Sequence, residues 1–404
     1  MSKGNEPYII IAQQHWSLNL GSNARNLAIE FSKDREVLYV NPAIDIKSAF
    51  KEIGSVIGRQ KLKVATGFEN ATILAQKNIW VHTPNTINYS ISWIKNTGIY
   101  NFFNEQNAIG FFKSLRNAIK QIGWKKEECI VLNDSQMFTG PYTKKYLKPL
   151  LSFYYLRDNL VEHPYFKFHG KRVEPITIAL ADAVFANSAY LAKYAGQYHK
   201  ISNDVGQGCE LELYDANKIY TAPDDIKNIG YPRIGYIGFL TGERLNIDLL
   251  ENLAKIKKDW QWVFIGPEEI LFKKSKLHNL PNVHFLGTKD AAILPAYIQH
   301  LNVCLNPQHI NALTVGNYPR KIDEYLAMGK PTVASATPAM EMFLPHVHLA
   351  KGTEEYIYAI TNALKPVSKT ESDSAILFAK SHTWRNCVNK IYLIQNKLLH
   401  ARIN

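Results

Sequence analysis

Cysteine is scarce: Cys129, Cys209, Cys304 and Cys387 are the only four in 404 residues. They lie far apart and form no C-x-x-C, so neither a disulfide framework nor a zinc site is suggested. A reduced, cytoplasmic protein is the expectation. No apolar run approaches the roughly 18–20 residues that span a bilayer. Residues 1–7 are polar and lead directly into "YIIIAQ", without a basic segment and a cleavable apolar stretch, so secretion is not expected. The glycine pattern "GQGCEL" lacks a third glycine and a strand-turn-helix context, which argues against a nicotinamide site. Repeats of solenoid period and low-complexity tracts are also missing.

What is present is a chain long enough for two domains. Its hydrophobic fraction of 46% supplies large cores, and its charged fraction of 20% argues against wholesale disorder. The net charge of +12 is uneven: residues 61–172 hold 16 Lys and Arg against 7 Asp and Glu. Such a surplus favours an anionic partner, whether nucleic acid, membrane surface or phosphorylated substrate. Simple solubility is the competing explanation.

Short apolar runs alternate with helical patterns. Strands are expected at 8–13, 37–41, 78–83, 129–134, 152–157 and 183–188, with helices from about Ser22 and near 104–122. The aromatic-rich stretch 84–104 is not clearly either. A polar segment, 215–230, carries three aspartates and a proline and reads as a linker. A second series follows, with strands at 232–240, 262–267, 283–287, 303–307 and 332–335 and a last helix from about Thr383. The expected fold is α/β: two Rossmann-like, doubly wound parallel-sheet domains facing a central cleft. Residues 1–214 would form the first and 231–382 the second. Residues 383–404 would form a C-terminal helix that can pack back on the first. In such sheets ligands bind outside the carboxyl ends of the strands.

The stretch "NYPRKIDEYLAMGKPTVAS", 317–335, places Arg320, Lys321 and Glu324 on the first turns of a short helix. Pro319 suits a first helical position, and the unpaired N–H groups of the first turn offer an anion site. Glu324 can accept two hydrogen bonds from a cis-diol such as ribose. It can equally form an i,i+4 pair with Arg320, worth only about 0.3–0.5 kcal/mol. "GFLTGERLN", 238–246, follows the first strand of the second half. Gly238 and Gly242 permit backbone approach to a phosphate, and Arg244 offers charge. A plain strand-to-helix loop with a surface arginine is the alternative.

"EYLAMGKPTVAS" resembles the E-A-M-A-x-G-x-P-V-V-A-S segment of GT-B glycosyltransferases of the "glycosyl transferases group 1" set. "RIGYIGFL", "WVFIGP", "NVHFLG" and "VCLNP" appear in that family's order, and "ALADAVFANS" is similar to a segment of its first domain. The resemblance implies a nucleoside-diphosphate sugar held by the second domain. Glu324 matches the family's ribose-binding glutamate, with Lys321 and Arg320 as candidates for the diphosphate. The first glutamate of the family's E-x7-E pattern would fall at Gly316 and is absent. Tyr318 is placed with this donor group. Phe285 and Leu286 are candidates to line the base, or else belong to a core strand. Gly21 and Ser22 match the family's first glycine-rich loop. No D-x-D occurs, so no metal and no other cofactor is expected; basic groups and helix N-termini can neutralise the leaving diphosphate.

On the acceptor side, Asp158 and His15 are the candidates for general base. Asp158 can instead form a structural pair with Arg157, and His15 can be a packed histidine against Trp16. The implied activity is sugar transfer to a saccharide or lipid-linked acceptor in bacterial surface polysaccharide or glycolipid synthesis. "WIKNTGIYNFF" (93–103) and "PYTKKYLKPLLSFYY" (141–155) mix aromatics with lysines, which suggests peripheral contact with an anionic membrane. A sugar-nucleotide epimerase of the same two-domain plan is one rival. A basic nucleic-acid-binding protein is another, although no nucleic-acid motif is present and no such partner is expected.

Overall fold

The computed structural model describes residues 6–18, 22–52 and 54–403. The chain divides into two compact units, one of residues 1–206 and 384–404 and the other of residues 207–383.

Unit 1 is built on an eight-stranded sheet. In chain order its strands are β1 (Tyr8–Ile11), β2 (Val37–Val40), β3 (Thr72–Gln76), β4 (Ile79–His82), β5 (Ile130–Asp134), β6 (Leu151–Leu156), β7 (Ala183–Ala186) and β8 (Ser202–Asp204). Their order across the sheet is β8-β7-β6-β5-β1-β2-β4-β3. All neighbours are parallel except β3, which runs antiparallel to β4 at the edge. The central strands "YIII" and "VLYV" are buried along their whole length. Such unbroken apolar runs are what a sheet covered on both faces requires. Helices α1 (Asn23–Phe31), α2 (Ile46–Glu52), α3 (Thr97–Gln121) and α4 (Pro164–Leu180) follow β1, β2, β4 and β6.

Unit 2 has a six-stranded, wholly parallel sheet of β9 (Arg233–Ile237), β10 (Gln261–Ile265), β11 (Val283–Gly287), β12 (Val303–Asn306), β13 (Thr332–Ser335) and β14 (His348–Ala350). The order is β11-β10-β9-β12-β13-β14. The order in which strands are added across the sheet therefore reverses between β9 and β12, and in unit 1 between β1 and β5. These are the switch points at which open α/β sheets bind ligands. Helices α5 (Ile247–Ile256), α6 (Lys321–Ala327) and α7 (Lys369–Lys380) belong to this unit.

The last helix, α8 (Trp384–Ile403), is part of unit 1. Cys387, Val388 and Ile391 enter the core that holds Tyr8 and Phe31. Arg385 Nε lies 2.6 Å from Glu30 Oε1, and Tyr8 Oη donates to the buried Gln395.

Two expectations need correction. The first unit ends at Gly206, not near 214. The segment 215–230 is not a free linker: Ile226 and Ile229 are buried in unit 2 with Tyr297 and Ile322. Its acids are also used there. Asp225 Oδ1 accepts from Tyr297 Oη at 2.8 Å, and Asp225 Oδ2 lies 2.6 Å from Lys289 Nζ. The indeterminate stretch 84–104 resolves into a two-residue strand, Ile87–Asn88, and the start of α3.

His82 is buried, with Nδ1 2.9 Å from Thr72 Oγ1 and Nε2 2.9 Å from Ser114 Oγ. Burial lowers its pKa from 6.5 to about 4. The folded protein thus resists a proton that the unfolded chain accepts below pH 6.5, so stability falls as pH drops from 6.5 towards 4. Urea unfolding across that window should show the loss, and His82→Gln should flatten the slope.

Candidate functional site

The carboxyl end of β9 is crowded backbone. Gly238 has φ +146° and Gly266 has φ +143°. A Cβ on Gly266 would stand 2.0 Å from the Gly238 carbonyl oxygen, which no side chain can relieve. The loops after β9 and β10 therefore touch only because both residues are glycine. Lys321 reaches this point from α6. Its Nζ lies 4.7 Å from the Tyr236 ring centre, and a Cβ on Gly238 would come 3.0 Å from Lys321 Cε. An ammonium group is thereby held against bare backbone at the carboxyl end of the central strand.

Helix α6 is short for local reasons. Arg320 is its N-cap and Pro319 stands before it, not at its first position. Gly329, at φ +64°, ends it: its N–H donates to Leu326 O at 2.9 Å, and Lys330 N–H donates to Tyr325 O at 3.0 Å. With only seven residues the helix dipole is weak. The formal charges of Lys321 and Arg320 supply most of the positive field. Tyr325 fixes the helix to the sheet, its hydroxyl accepting from Ile237 N–H at 2.9 Å.

Glu324 lies one turn beyond Lys321 and is half-buried. Burial raises its pKa, while Lys321, Arg320 and a hydrogen bond from the Tyr214 hydroxyl oppose the rise. No ion pair joins Arg320 to Glu324 among the described residues. The carboxylate is thus partnered by Tyr214, from a segment whose part in the site sequence reasoning did not find.

Asp323 was also missed. It is fully buried and accepts from Tyr318 Oη at 2.7 Å and Cys209 Sγ at 3.0 Å, both at Oδ2. His382 Nδ1 lies 2.7 Å from its Oδ1, and Cys209 N–H donates to His382 O at 2.9 Å. Cys209 and His382 stand next to the points where the chain enters and leaves unit 2. One carboxylate therefore ties α6 to both. Tyr318 is corrected here: its hydroxyl is committed to Asp323 and its ring is buried, so it braces the helix from within. The sequence signal was an acid at the margin of an apolar helix face, but two of its three partners are 59 and 114 residues away.

The remaining donor candidates divide. Gly242 N–H donates to the Glu269 carboxylate, so it is not open to a phosphate in this structure. The Arg244 side chain is exposed, and its carbonyl accepts from His309 N–H at 2.8 Å. Asn246 N–H donates to Pro307 O at 2.9 Å, which stitches the loops after β9 and β12 together. The Phe285 ring stacks on His278 at 3.9 Å and Leu286 packs against a core cluster. Their side chains are packing groups in β11, which leaves only its backbone for a ligand.

In unit 1, Gly21 lies outside the described residues, and Ser22 is buried at the N-cap of α1. His15 is buried, and its ring is engaged on both sides. Asn41 Oδ1 accepts from Trp16 N–H at 2.8 Å, which turns Asn41 Nδ2 towards His15 Nε2 at 3.1 Å. On the other side, Nδ1 faces Ser17, with Oγ at 2.8 Å and the Ser17 N–H donating to it at 3.3 Å. Burial, reinforced by Lys61, lowers its pKa to about 4. A neutral ring hydrogen-bonded at both nitrogens braces its loop. Asp158 is half-buried in the loop after β6. The Arg157 guanidinium beside it interacts with Asp158 and also with the fully buried Asp134, with Nε 3.2 Å from Asp134 Oδ1. Asp134 ends β5 beside the switch point and also escaped the sequence reading.

Residues 231–365 match the family model "Glycosyl transferases group 1". Over 190 residues the chain is 30% identical to the putative teichuronic acid biosynthesis glycosyltransferase TuaH of Bacillus subtilis (strain 168). That alignment covers 44% of this chain and 46% of the relative, so the chain matches about half of that protein's length. Among solved structures, sucrose-phosphate synthase from Thermosynechococcus elongatus is similar over 98% of this chain and 100% of its own, with TM-score 0.67 and 14% identity. Anabaena HepE in complex with UDP is similar over 97% and 100%, with TM-score 0.65 and 14% identity. Likeness at this identity shows the fold, which is GT-B.

Removal of the Asp323 carboxylate leaves a tyrosine, a thiol and a histidine without their shared acceptor. Asp323→Ala should cost about 3–5 kcal/mol, the range for breaking a buried pair. Urea unfolding of the variant checks this, with Asp248→Ala on exposed α5 as the control of small effect.

Proposed function

We propose that this chain, whose residues 231–365 belong to the glycosyl transferases group 1 family, moves a sugar from a nucleoside-diphosphate donor to an acceptor in bacterial surface polysaccharide or glycolipid synthesis. The observation that carries the reading is the Lys321 ammonium held against Gly238 at the carboxyl end of β9, with Glu324 one turn along the same helix. Lys321, helped by Arg320, neutralises the diphosphate. Charge developing on the leaving group is the largest demand of the reaction, and a preorganised cation meets it without reorganisation. Glu324 accepts hydrogen bonds from the ribose hydroxyls in its ionised form, which the two neighbouring cations favour. UDP is the proposed nucleotide because HepE, of the same fold, holds UDP. Metal-independent chemistry is part of the proposal. Asp158 is the proposed general base for an acceptor hydroxyl. No finding favours the epimerase or the nucleic-acid reading.

Peripheral membrane contact is also proposed, through the first of the two stretches the sequence suggested, 93–103, and not through 141–155. In 141–155, Leu151–Tyr155 are core, Lys144 Nζ is 2.8 Å from Asp182 Oδ1, and Lys145 pairs with Glu105. The apolar side chains that face solvent lie elsewhere: Trp93 is 74% exposed, Phe102 59% and Phe168 60%. Tyr100 stacks on His169 at 3.5 Å, and Arg172 Nη2 donates to Asn101 at 2.9 Å, which brings α3 and α4 together beneath these groups. Lys95 stands two residues from Trp93, and Arg172 reaches Asn101 next to Phe102; aromatic rings with basic neighbours suit an anionic interface. No helix among the described residues is long and apolar enough to cross a membrane. The reading places the enzyme at the cytoplasmic face of the cell membrane.

Titration with UDP by calorimetry tests the donor site. Glu324→Ala should weaken UDP by roughly 1.5–3 kcal/mol, the worth of a hydrogen bond to a charged group. Lys321→Ala should weaken UDP while leaving uridine nearly unchanged, and chelation should alter neither. Equal losses for UDP and uridine in Lys321→Ala would remove the phosphate role.

Sedimentation with vesicles tests the membrane surface. Anionic vesicles should carry the protein down at low salt, and Trp93→Ser with Phe102→Ser should abolish this. Lys144→Glu with Lys145→Glu should have little effect. Equal retention in the supernatant with anionic and neutral vesicles would exclude docking.

A further inference from the structure

Unit 1 contains a cavity of about 410 Å³ whose contents no part of the donor chemistry accounts for. It opens where Pro42 follows β2 and Gln136 follows β5, beyond the carboxyl ends of the strands. Its size lies within the ~300–1,000 Å³ of small-molecule sites. Aromatic surface comes from Tyr89, Phe138 and Tyr165.

Two polar atoms in its wall lack hydrogen-bond partners among the described residues, the Tyr100 hydroxyl and the Asn88 Oδ1. Tyr100 is only 1% exposed. A buried polar group left unpaired is costly, and in a cavity wall it marks a partner supplied from outside. One group can donate and accept and the other accepts, a pairing that suits ligand hydroxyls. Rings alongside them suit the apolar faces of a sugar.

The charge of the cavity is one-sided. Lys47 and Lys51 stand four residues apart on α2, both exposed, and neither is in an ion pair among the described residues. Asp45 is the only carboxylate in the lining, and it is already engaged. It accepts from Lys47 N–H at 3.0 Å, Ser48 N–H at 3.1 Å and Ser48 Oγ at 2.6 Å, and from the Ser90 hydroxyl. These bonds hold its carboxyl below the ordinary range against the opposing effect of burial. Its role is to hold the start of α2, so the two lysines dominate the field at the mouth.

We infer that this cavity binds the acceptor through a negatively charged sugar, a uronate or a sugar phosphate, with Tyr100 and Asn88 on its hydroxyls and Lys47 and Lys51 on its anionic group. That the bound sugar is the acceptor rests on the sugar-transfer reading; that the cavity takes an anionic sugar does not.

The test uses the full chain and NMR titration with three probes: a glucuronic-acid-containing disaccharide, its neutral glucose counterpart, and glucose 1-phosphate. UDP is titrated in parallel. At least one acidic probe should bind about fivefold to tenfold tighter than the neutral one at low salt. Which of the two does so separates a carboxylate from a phosphate. Lys47→Glu with Lys51→Glu should abolish the preference. Tyr100→Phe should weaken acidic and neutral sugars alike and leave their ratio unchanged. UDP binding should be the same in every variant. The inference is overturned if no probe binds, if neutral and acidic sugars bind equally, or if either variant leaves sugar binding as it was. Loss of UDP binding in the unaltered protein, with the acidic sugar still bound, would instead sink the transfer reading and leave this site standing.

Discussion

A carboxylate with no access to water is expensive, and Asp323 is such a group. Left unpaired it would not stay ionised inside a core. Tyr318, Cys209 and His382 make its burial tolerable; Tyr318 is local, but Cys209 and His382 must be brought in from remote parts of the chain. The result fixes where α6 begins and how it is rotated. Ile322, Tyr325 and Leu326 then face the sheet, and Lys321 points to Gly238. The position of Lys321, the proposed diphosphate cation, thus follows from the needs of a neighbouring anion.

The same economy operates at the end of β9. Gly238 and Gly266 leave the backbone of two loops in contact, so there is no side chain to fend off what approaches. The Lys321 ammonium group lies over the Tyr236 ring, which lowers the number of positions it can take. A lysine is usually a flexible point charge. Here the tyrosine and the bare backbone give it a place.

Much of this was legible in the sequence, for definite reasons. Strands such as "YIII" and "WVFI" are covered on both faces, and a continuous apolar run is hard to mistake. Strand β3 left no such mark, because an edge strand keeps Ile73 and Leu74 in solvent and its register shifts near Leu74. Residues 215–230 read as a linker because their polarity is real, yet Ile226 and Ile229 are enough to anchor them. In 93–103, Trp93 is exposed and Tyr100 is buried, a distinction that composition cannot draw. At the site, Lys321, Glu324 and Gly238 could be named because local spacing and a family resemblance both fall on them. Asp323, Tyr214 and Asp134 could not, since what defines them is a set of partners remote in sequence. Gly242 shows the converse: a glycine in a suggestive loop whose N–H is already spoken for by Glu269.

Helix α8 follows the whole of unit 2 in the chain, yet it supplies Cys387, Val388 and Ile391 to the core that surrounds β1. Domains generally complete themselves in the order of synthesis, the N-terminal one first. Unit 1 cannot follow that order, because part of its interior is encoded after all of unit 2. During translation, Tyr8 and Phe31 wait with one side of their core uncovered while some 177 residues of the second unit, 207–383, emerge and close. The nascent chain therefore holds a finished second unit beside an unfinished first one. A stop codon placed just before α8 would leave unit 2 whole and unit 1 open, so the effect of such a truncation would fall on the unit that begins farthest from it in sequence.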